Sequence, residues 1–118
     1  MSIQNWSKGV ILADLPGEPE LARKLEKVSE RLLDRRDCDV LLDFSNVSIL
    51  SSHCLTILLR IRRQLQTRGC RLVLFNIGTM TAGILSVTGL VDVFMITCDR
   101  FHALAAVQAN GAGIPGPS

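Results

Sequence analysis

The stretch Val40–Leu65 limits the possible folds most, because it combines a short apolar run, a polar turn and an amphipathic helix. Val40–Phe44 is almost entirely apolar, which is typical of a central strand covered on both faces. Ser51 and Ser52 follow the turn and carry hydroxyl groups that can cap a helix by accepting a hydrogen bond from an unpaired backbone N–H. The stretch therefore predicts a strand–turn–helix unit of an α/β sheet.

The predicted helix separates into two faces when successive residues are placed about 100° apart around its axis. The apolar face is expected to pack on the sheet and consists of Cys54, Leu55, Ile57, Leu58, Leu59, Ile61 and Leu65. The polar face consists of Ser52, His53, Thr56, Arg60, Arg63, Gln64 and Thr67. Most polar helix faces are only solvated, but partner sites of open α/β sheets tend to lie where such a helix starts. The polar face is consequently a candidate partner surface as well as an ordinary solvated face.

The rest of the chain continues the alternation of strands and helices. Ile3–Trp6 and Val10–Ala13 predict a β-hairpin. The further predicted elements are a helix from about Pro19 to Asp34, a strand Arg71–Asn76, a helix Gly78–Thr88, a strand Val93–Thr97 and a helix Phe101–Ala109. In the last helix, the residues expected to face inward are Phe101, Leu104, Ala105 and Val107.

This order of elements predicts a single α/β domain over residues 1–109. Alternating strands and helices imply right-handed crossovers and a mainly parallel sheet with helices packed against it. Residues 110–118 are rich in Gly and Pro and almost without apolar side chains, so we expect a disordered tail there.

Composition excludes several classes of function. Of the 118 residues, 47% are hydrophobic and only 4% aromatic, and the formal net charge is +2. A packed core is thus available without disulfides, whereas a base-stacking platform or a basic nucleic-acid surface is not. Cys38, Cys54, Cys70 and Cys98 show no metal-ligand spacing and are expected to be free thiols in a reducing cytosol. No signal peptide and no apolar run of membrane-spanning length is present, which predicts a cytoplasmic protein without membrane insertion.

The sequence carries no motif for catalysis. It has no glycine-rich phosphate loop, no paired histidines on a helix and no nucleophile elbow. Asp14 and Asp43 lie near strand ends, but no second group is spaced to make either a general base. His102, on the last helix, is given no role. We therefore expect a protein that is not an enzyme and that needs neither a cofactor nor a metal.

Three segments resemble the signature of the STAS domain family, the anti-sigma-factor-antagonist family. They are Asp43–Val47 followed by Ile49–Ser52 and Leu55, then Gly69–Asn76, and finally Leu85–Phe94, which has the pattern L-x-x-T-G-L-x-x-x-F. The resemblance covers nearly everything from about Ile3 to Val107. It implies a four- or five-stranded mixed sheet flanked by helices, and a bacterial regulatory role through protein–protein contact.

The resemblance also implies a place for a phosphorylation switch. In the best-known members of the family, a serine at the start of the central helix is phosphorylated by a partner kinase that also restrains a sigma factor. The unphosphorylated form binds that kinase and frees the sigma factor. A phosphate, which adds a charge of roughly −2, can switch such docking off.

This chain departs from the family pattern at the switch. The usual run is Asp-Ser-Ser-Gly-Leu-Gly, with the second serine phosphorylated, and the alignment places Ser51–Thr56 there. His53 therefore occupies the acceptor position, and Cys54 and Thr56 replace the two glycines with residues whose side chains would fill a normally bare surface. Ser52 lies one residue earlier and is the remaining candidate acceptor, with Arg63 expected to be near enough to hold its phosphate.

Three functions stay open at this point. The first is a regulator without enzymatic activity that binds an anti-sigma factor, a serine-kinase-like protein or a similar bacterial partner. It would bind through a candidate partner surface consisting of Ser51, Ser52, His53, Thr56, Arg60 and Arg63, as a constitutive binder or with the switch moved to Ser52. The second is a STAS scaffold subunit of a stress-signalling assembly or a lipid-transport machine, and homo-oligomers stay open as well. The third, a phosphoryl carrier using His53, ranks lowest because an exposed histidine is usually only a polar surface residue.

Overall fold

The computed structural model describes residues 3–7, 9–34 and 38–111, with side chains described for residues 9–34 and 38–107. Within these residues, five strands form one sheet in the order β1-β2-β3-β4-β5. The strands are β1 (Ile3–Ser7), β2 (Val10–Asp14), β3 (Asp39–Asp43), β4 (Leu72–Phe75) and β5 (Met95–Thr97). The helices are α1 (Glu20–Asp34), α2 (Ser52–Gln66), α3 (Thr79–Val87) and α4 (Arg100–Gly111).

The sheet is mixed, as predicted. β1 and β2 form the antiparallel hairpin, and β2, β3, β4 and β5 run parallel to one another. Val40 pairs with Leu72 and Asp43 with Phe75, so β3 and β4 are adjacent inner strands. Each parallel connection passes through a helix and leads to the neighbouring strand, so the order of strands in the sheet equals their order along the chain.

Both faces of the sheet are covered, which explains the unbroken apolar runs of β3 and β4. Successive residues of a strand point to opposite faces. Val40 and Leu42 therefore pack with the buried residues of α1 and α2, whereas Leu41 packs with Ala103 and Val107 of α4. The α1–α2 layer lies on one face and α4 on the other.

The burial of α2 follows the prediction except at Leu59. Leu55, Leu58 and Leu65 are buried, but Leu59 is 37% exposed. Leu59 lies seven residues after Ser52, which places it within about 20° of Ser52 around the helix axis, on the side away from the sheet. Its assignment to the apolar face was wrong.

The end of the chain also differs from the prediction. Phe101 is 75% exposed and Ala105 is exposed as well, while Ala103 and Val107, four residues apart on one face, are the buried contacts of α4. The backbone of α4 runs to Gly111, two residues beyond the predicted end of the domain. Residues 112–118 lie outside the described residues, so the disordered tail stays a prediction. None of the described helices is long and apolar enough to cross a membrane.

Candidate functional site

The start of α2 is built by the loop that leaves β3 at the carboxyl edge of the sheet. Val47 and Leu50 are buried and hold this loop against the core, whereas Ile49 between them is 57% exposed. Ser51 then caps the helix, because its hydroxyl oxygen accepts a hydrogen bond from the backbone N–H of Cys54 at 3.2 Å. Ser52 is the first residue of α2. Of the two predicted capping serines, Ser51 is the one that caps.

A carboxylate from another part of the chain also lies at this helix start. Glu18, in the connection between β2 and α1, accepts hydrogen bonds through Oε2 from the backbone N–H of Ser51 at 3.3 Å and from the thiol of Cys54 at 3.2 Å. The positive end of a helix dipole favours a negative charge there. Sequence reasoning missed Glu18, because no local pattern pairs it with a helix that starts more than 30 residues later.

The environment keeps Glu18 ionised. Partial burial raises the pKa of its carboxyl group, but the hydrogen bonds from Cys54 and Ser51, with a smaller contribution from the charge of His53, outweigh burial and leave the pKa below its ordinary value of 4.5. A fixed negative charge therefore lies at the start of α2 at neutral pH.

Cys54 forms part of the core and not part of the surface. Its side chain is buried, and burial, followed by the nearby Glu18 carboxylate, raises the pKa of the thiol. A protonated, buried thiol is a poor nucleophile. Of the two residues expected to fill the surface, only Thr56 is exposed, and its hydroxyl donates to the backbone carbonyl of Ser52 at 3.1 Å.

The structure brings together only part of the candidate partner surface. All six of its residues are exposed. Arg60, however, is already paired, because its guanidinium donates to the Glu26 carboxylate of α1 at 2.7 Å. Arg63 follows Ser52 by eleven residues, which is about 16 Å along a continuous helix. The expectation that Arg63 could hold a phosphate on Ser52 was therefore wrong.

The exposed side of α2 has an apolar centre that sequence reasoning did not assign to it. Ser52, Thr56, Leu59 and Arg63 are spaced by four, three and four residues, so they form one stripe along the helix. Leu59 lies between the polar ends of this stripe, and the exposed Ile49 lies in the loop just before the helix. An apolar centre with a polar rim is the usual composition of a protein–protein interface.

A second polar cluster fixes the loop that leads to α2. Oδ1 of the buried Asp43 accepts hydrogen bonds from the backbone N–H and the hydroxyl of Ser45 at 2.9 and 2.7 Å, and from the Asn76 amide at 3.2 Å. Arg100 lies 3.9 Å from Oδ2 of Asp43 and 3.7 Å from Oδ1 of Asp14. Burial raises the pKa of Asp43. The hydrogen bonds from Ser45 and Asn76, together with the charge of Arg100, lower the pKa by more than burial raises it, so the net shift is downward. Asp43 is thus an ionised anchor of the β3–α2 loop.

Comparison with known proteins finds one matching family model and several solved structures of similar fold. The model of the STAS domain family matches residues 18–104. No curated protein matches the chain. A candidate anti-sigma factor antagonist from Thermotoga maritima superimposes over 91% of this chain and 93% of its own, with a TM-score of 0.79 and 16% identity.

Two further solved structures are similar. A sulfate transporter family protein from Wolinella succinogenes covers 90% of both chains with a TM-score of 0.78 and 17% identity. A chain of the stressosome, described as a signal integration and transduction hub, covers 93% of this chain and 98% of its own, with a TM-score of 0.73 and 17% identity. At such identities the likeness concerns the fold.

Proposed function

The chain belongs to the STAS domain family, and from this we propose that it is a regulatory module of the anti-sigma factor antagonist type, without enzymatic activity. It binds an anti-sigma factor, a serine-kinase-like protein or a similar bacterial signalling protein through the start of α2. The observation that carries the proposal is the exposed stripe Ser52, Thr56, Leu59 and Arg63, in which an apolar residue lies among polar ones on a rigid helix.

We propose further that binding is constitutive. In the alignment with the family motif, His53 takes the position of the phosphorylated serine. Glu18 is a second obstacle to phosphorylation. Its carboxylate already accepts a hydrogen bond from the backbone N–H of Ser51 and carries a negative charge beside Ser52. A phosphate added to Ser52 would meet a like charge, and the cation of the stripe, Arg63, lies three helical turns away.

The test compares two charge reversals. Arg63→Glu lies within the exposed stripe, whereas the matched control Arg23→Glu lies on the exposed side of α1. The probe is a serine-kinase-like anti-sigma factor from cells that produce this chain, with affinity measured by calorimetry. We expect Arg63→Glu to weaken binding about tenfold, a loss of roughly 1.4 kcal/mol, while Arg23→Glu binds like the wild type. Equal affinities for all three proteins would contradict the proposed surface.

A scaffold subunit of a larger assembly is the second candidate function. Two observations favour it: the structural likeness to a stressosome chain over 98% of that chain, and the exposed apolar side chains of the edge strand β5. Met95 is 42% and Ile96 36% exposed there, on the last strand of the sheet order. An exposed edge strand can pair with another chain. Analytical ultracentrifugation distinguishes the two candidates: a stable assembly of many copies supports the scaffold, and a monomer supports the regulator.

A further inference from the structure

Three metal-ligating side chains of different chemistry lie together where β5 leads into α4. Sγ of Cys98 is 3.4 Å from Nδ1 of His102, and the same nitrogen is 2.7 Å from Oδ1 of Asp99. One ligand atom from each residue lies within 4.8 Å of the other two. In the described part of the chain this is the one such group of at least three His, Cys, Asp or Glu residues.

The local fold holds these side chains in place. Asp99 caps α4, because its Oδ1 accepts a hydrogen bond from the backbone N–H of His102 at 2.9 Å. Cys98 and His102 are four residues apart and meet on the same side of the helix start. The hydrogen bonds from the His102 backbone and side chain lower the pKa of Asp99, so this ligand is a carboxylate at neutral pH.

We propose that Cys98, Asp99 and His102 form a binding site for a divalent transition-metal ion of the zinc class. Zn–S bonds of about 2.3 Å and Zn–N bonds of about 2.0 Å at a tetrahedral angle separate sulfur and nitrogen by about 3.5 Å. The observed distance between Sγ of Cys98 and Nδ1 of His102, 3.4 Å, is close to this separation.

The third ligand needs a small movement. Tetrahedral coordination separates nitrogen and oxygen by about 3.3 Å, whereas Nδ1 of His102 and Oδ1 of Asp99 are 2.7 Å apart in a hydrogen bond. The ion replaces that hydrogen bond, and the side chains move apart by about half an ångström. Solvent leaves room for this movement, since the side chains of His102 and Asp99 are 57% and 51% exposed.

The donor set selects the class of metal. A thiolate and an imidazole favour Zn²⁺, Co²⁺, Ni²⁺ and copper over Mg²⁺ and Ca²⁺, which prefer oxygen ligands. On binding, the Cys98 thiol releases one proton to solvent. The proton that Nδ1 of His102 donates to Asp99 is lost to solvent, and Nε2 takes up one in exchange, so the imidazole stays neutral and binds the ion through Nδ1. Three protein ligands leave a fourth tetrahedral position open to water.

The experiment titrates the reduced full-length chain with Co²⁺ and then displaces Co²⁺ with Zn²⁺. Tetrahedral thiolate coordination gives visible d–d bands and a near-ultraviolet sulfur-to-cobalt band, which we expect to saturate at one ion per chain. Cys98→Ser should abolish the sulfur band, and His102→Gln should weaken Zn²⁺ binding about tenfold or more. Asp99→Asn keeps the helix cap but removes the anionic ligand, and should also weaken binding.

Matched controls distinguish this site from metal binding at another thiol of the chain. Cys70→Ser removes a partly exposed thiol away from the cluster and should bind Co²⁺ like the wild type. Circular dichroism of each variant verifies that it is folded. The absence of a sulfur band in the wild type, or binding that survives both Cys98→Ser and His102→Gln, would overturn the proposal. In that case the three residues form only a capped helix start with a neighbouring thiol.

Discussion

The Oε2 atom of Glu18 lies 3.3 Å from the backbone nitrogen of Ser51, so a carboxylate from the connection before α1 holds the N-terminal end of α2. Through Cys54 the same oxygen also contacts the buried side of the helix. The start of α2 thus already carries a negative charge supplied by the chain itself.

Glu18→Gln should make the unfolding free energy of the protein depend less on pH in the acid range. The folded-state pKa of Glu18 lies below the ordinary value of 4.5, so its stabilising contribution is present above about pH 4.5 and is lost as the pH falls through the lower, folded-state value. The difference in unfolding free energy between wild type and Glu18→Gln should therefore shrink from pH 7 to pH 3 in urea titrations. Glu30→Gln, on the exposed side of α1, serves as the control. A difference that does not change with pH would mean that the ionised Glu18 carboxylate does not stabilise the start of α2.

Leu58→Ala and Leu59→Ala form a matched pair of neighbouring substitutions. Leu58 is fully buried between α2 and the sheet, so its truncation should cost about 2–5 kcal/mol of unfolding free energy. Leu59 is 37% exposed and should cost less than about 1 kcal/mol. Guanidinium denaturation measures both values. Similar costs would show that α2 is rotated about its axis so that both side chains are equally buried.

Asp43→Ala should destabilise the fold more than Asp14→Ala. Removing Asp43 leaves the Ser45 N–H and the Asn76 amide without their acceptor, which costs about 1–3 kcal/mol. Asp14 makes a 3.7 Å contact with Arg100 at a partly exposed site, so its loss should cost less. Urea denaturation of both variants at pH 7 provides the measurement, and equal costs would contradict the anchoring role of Asp43.

The folded-state pKa of Asp43 gives this prediction a pH dependence. Because that pKa lies below the ordinary value of 3.8, the stabilisation is present above about pH 3.8 and disappears as the pH falls through the folded-state value. The cost of Asp43→Ala should accordingly decrease between pH 5 and pH 2.

Protein isolated from its own cells should carry no phosphate on Ser52 or His53. In the proposed alignment His53 stands in place of the family's acceptor serine, and the charge of Glu18 opposes a phosphate beside it. Intact-mass measurement at neutral pH, followed by acid treatment, checks both residues. A stoichiometric, acid-stable phosphate on Ser52 would overturn the constitutive proposal, and an acid-labile phosphate on His53 would favour the phosphoryl carrier.

The order of elements could be predicted from the sequence because it depends on local patterns. A strand buried on both faces must be apolar throughout, so Val40–Phe44 and Leu72–Phe75 marked β3 and β4. The serine before α2, Ser51, marked its start, because an unpaired backbone N–H needs a nearby acceptor. Helical periodicity was also sufficient to predict the burial of Leu55, Leu58 and Leu65, which lie near the middle of the apolar face.

Residues at the borders of a helix face could not be assigned from the same patterns. Whether Leu59 or Phe101 is buried depends on how far the neighbouring elements reach around the helix, which spacing alone does not describe. Arg63 lies on the predicted side of α2, but its distance along the axis from Ser52 matters as much as its angle.

Local sequence determined the strands and helices of this protein and the exposed start of α2, because each depends on residues within a few positions of one another. Tertiary structure alone decided that Glu18 lies against Ser51 and Cys54, that Glu26 pairs with Arg60, and that Asn76 and Arg100 converge on Asp43. These contacts join residues more than 30 positions apart, and only the packing of the helices on the sheet brings such groups within hydrogen-bonding or ion-pairing distance.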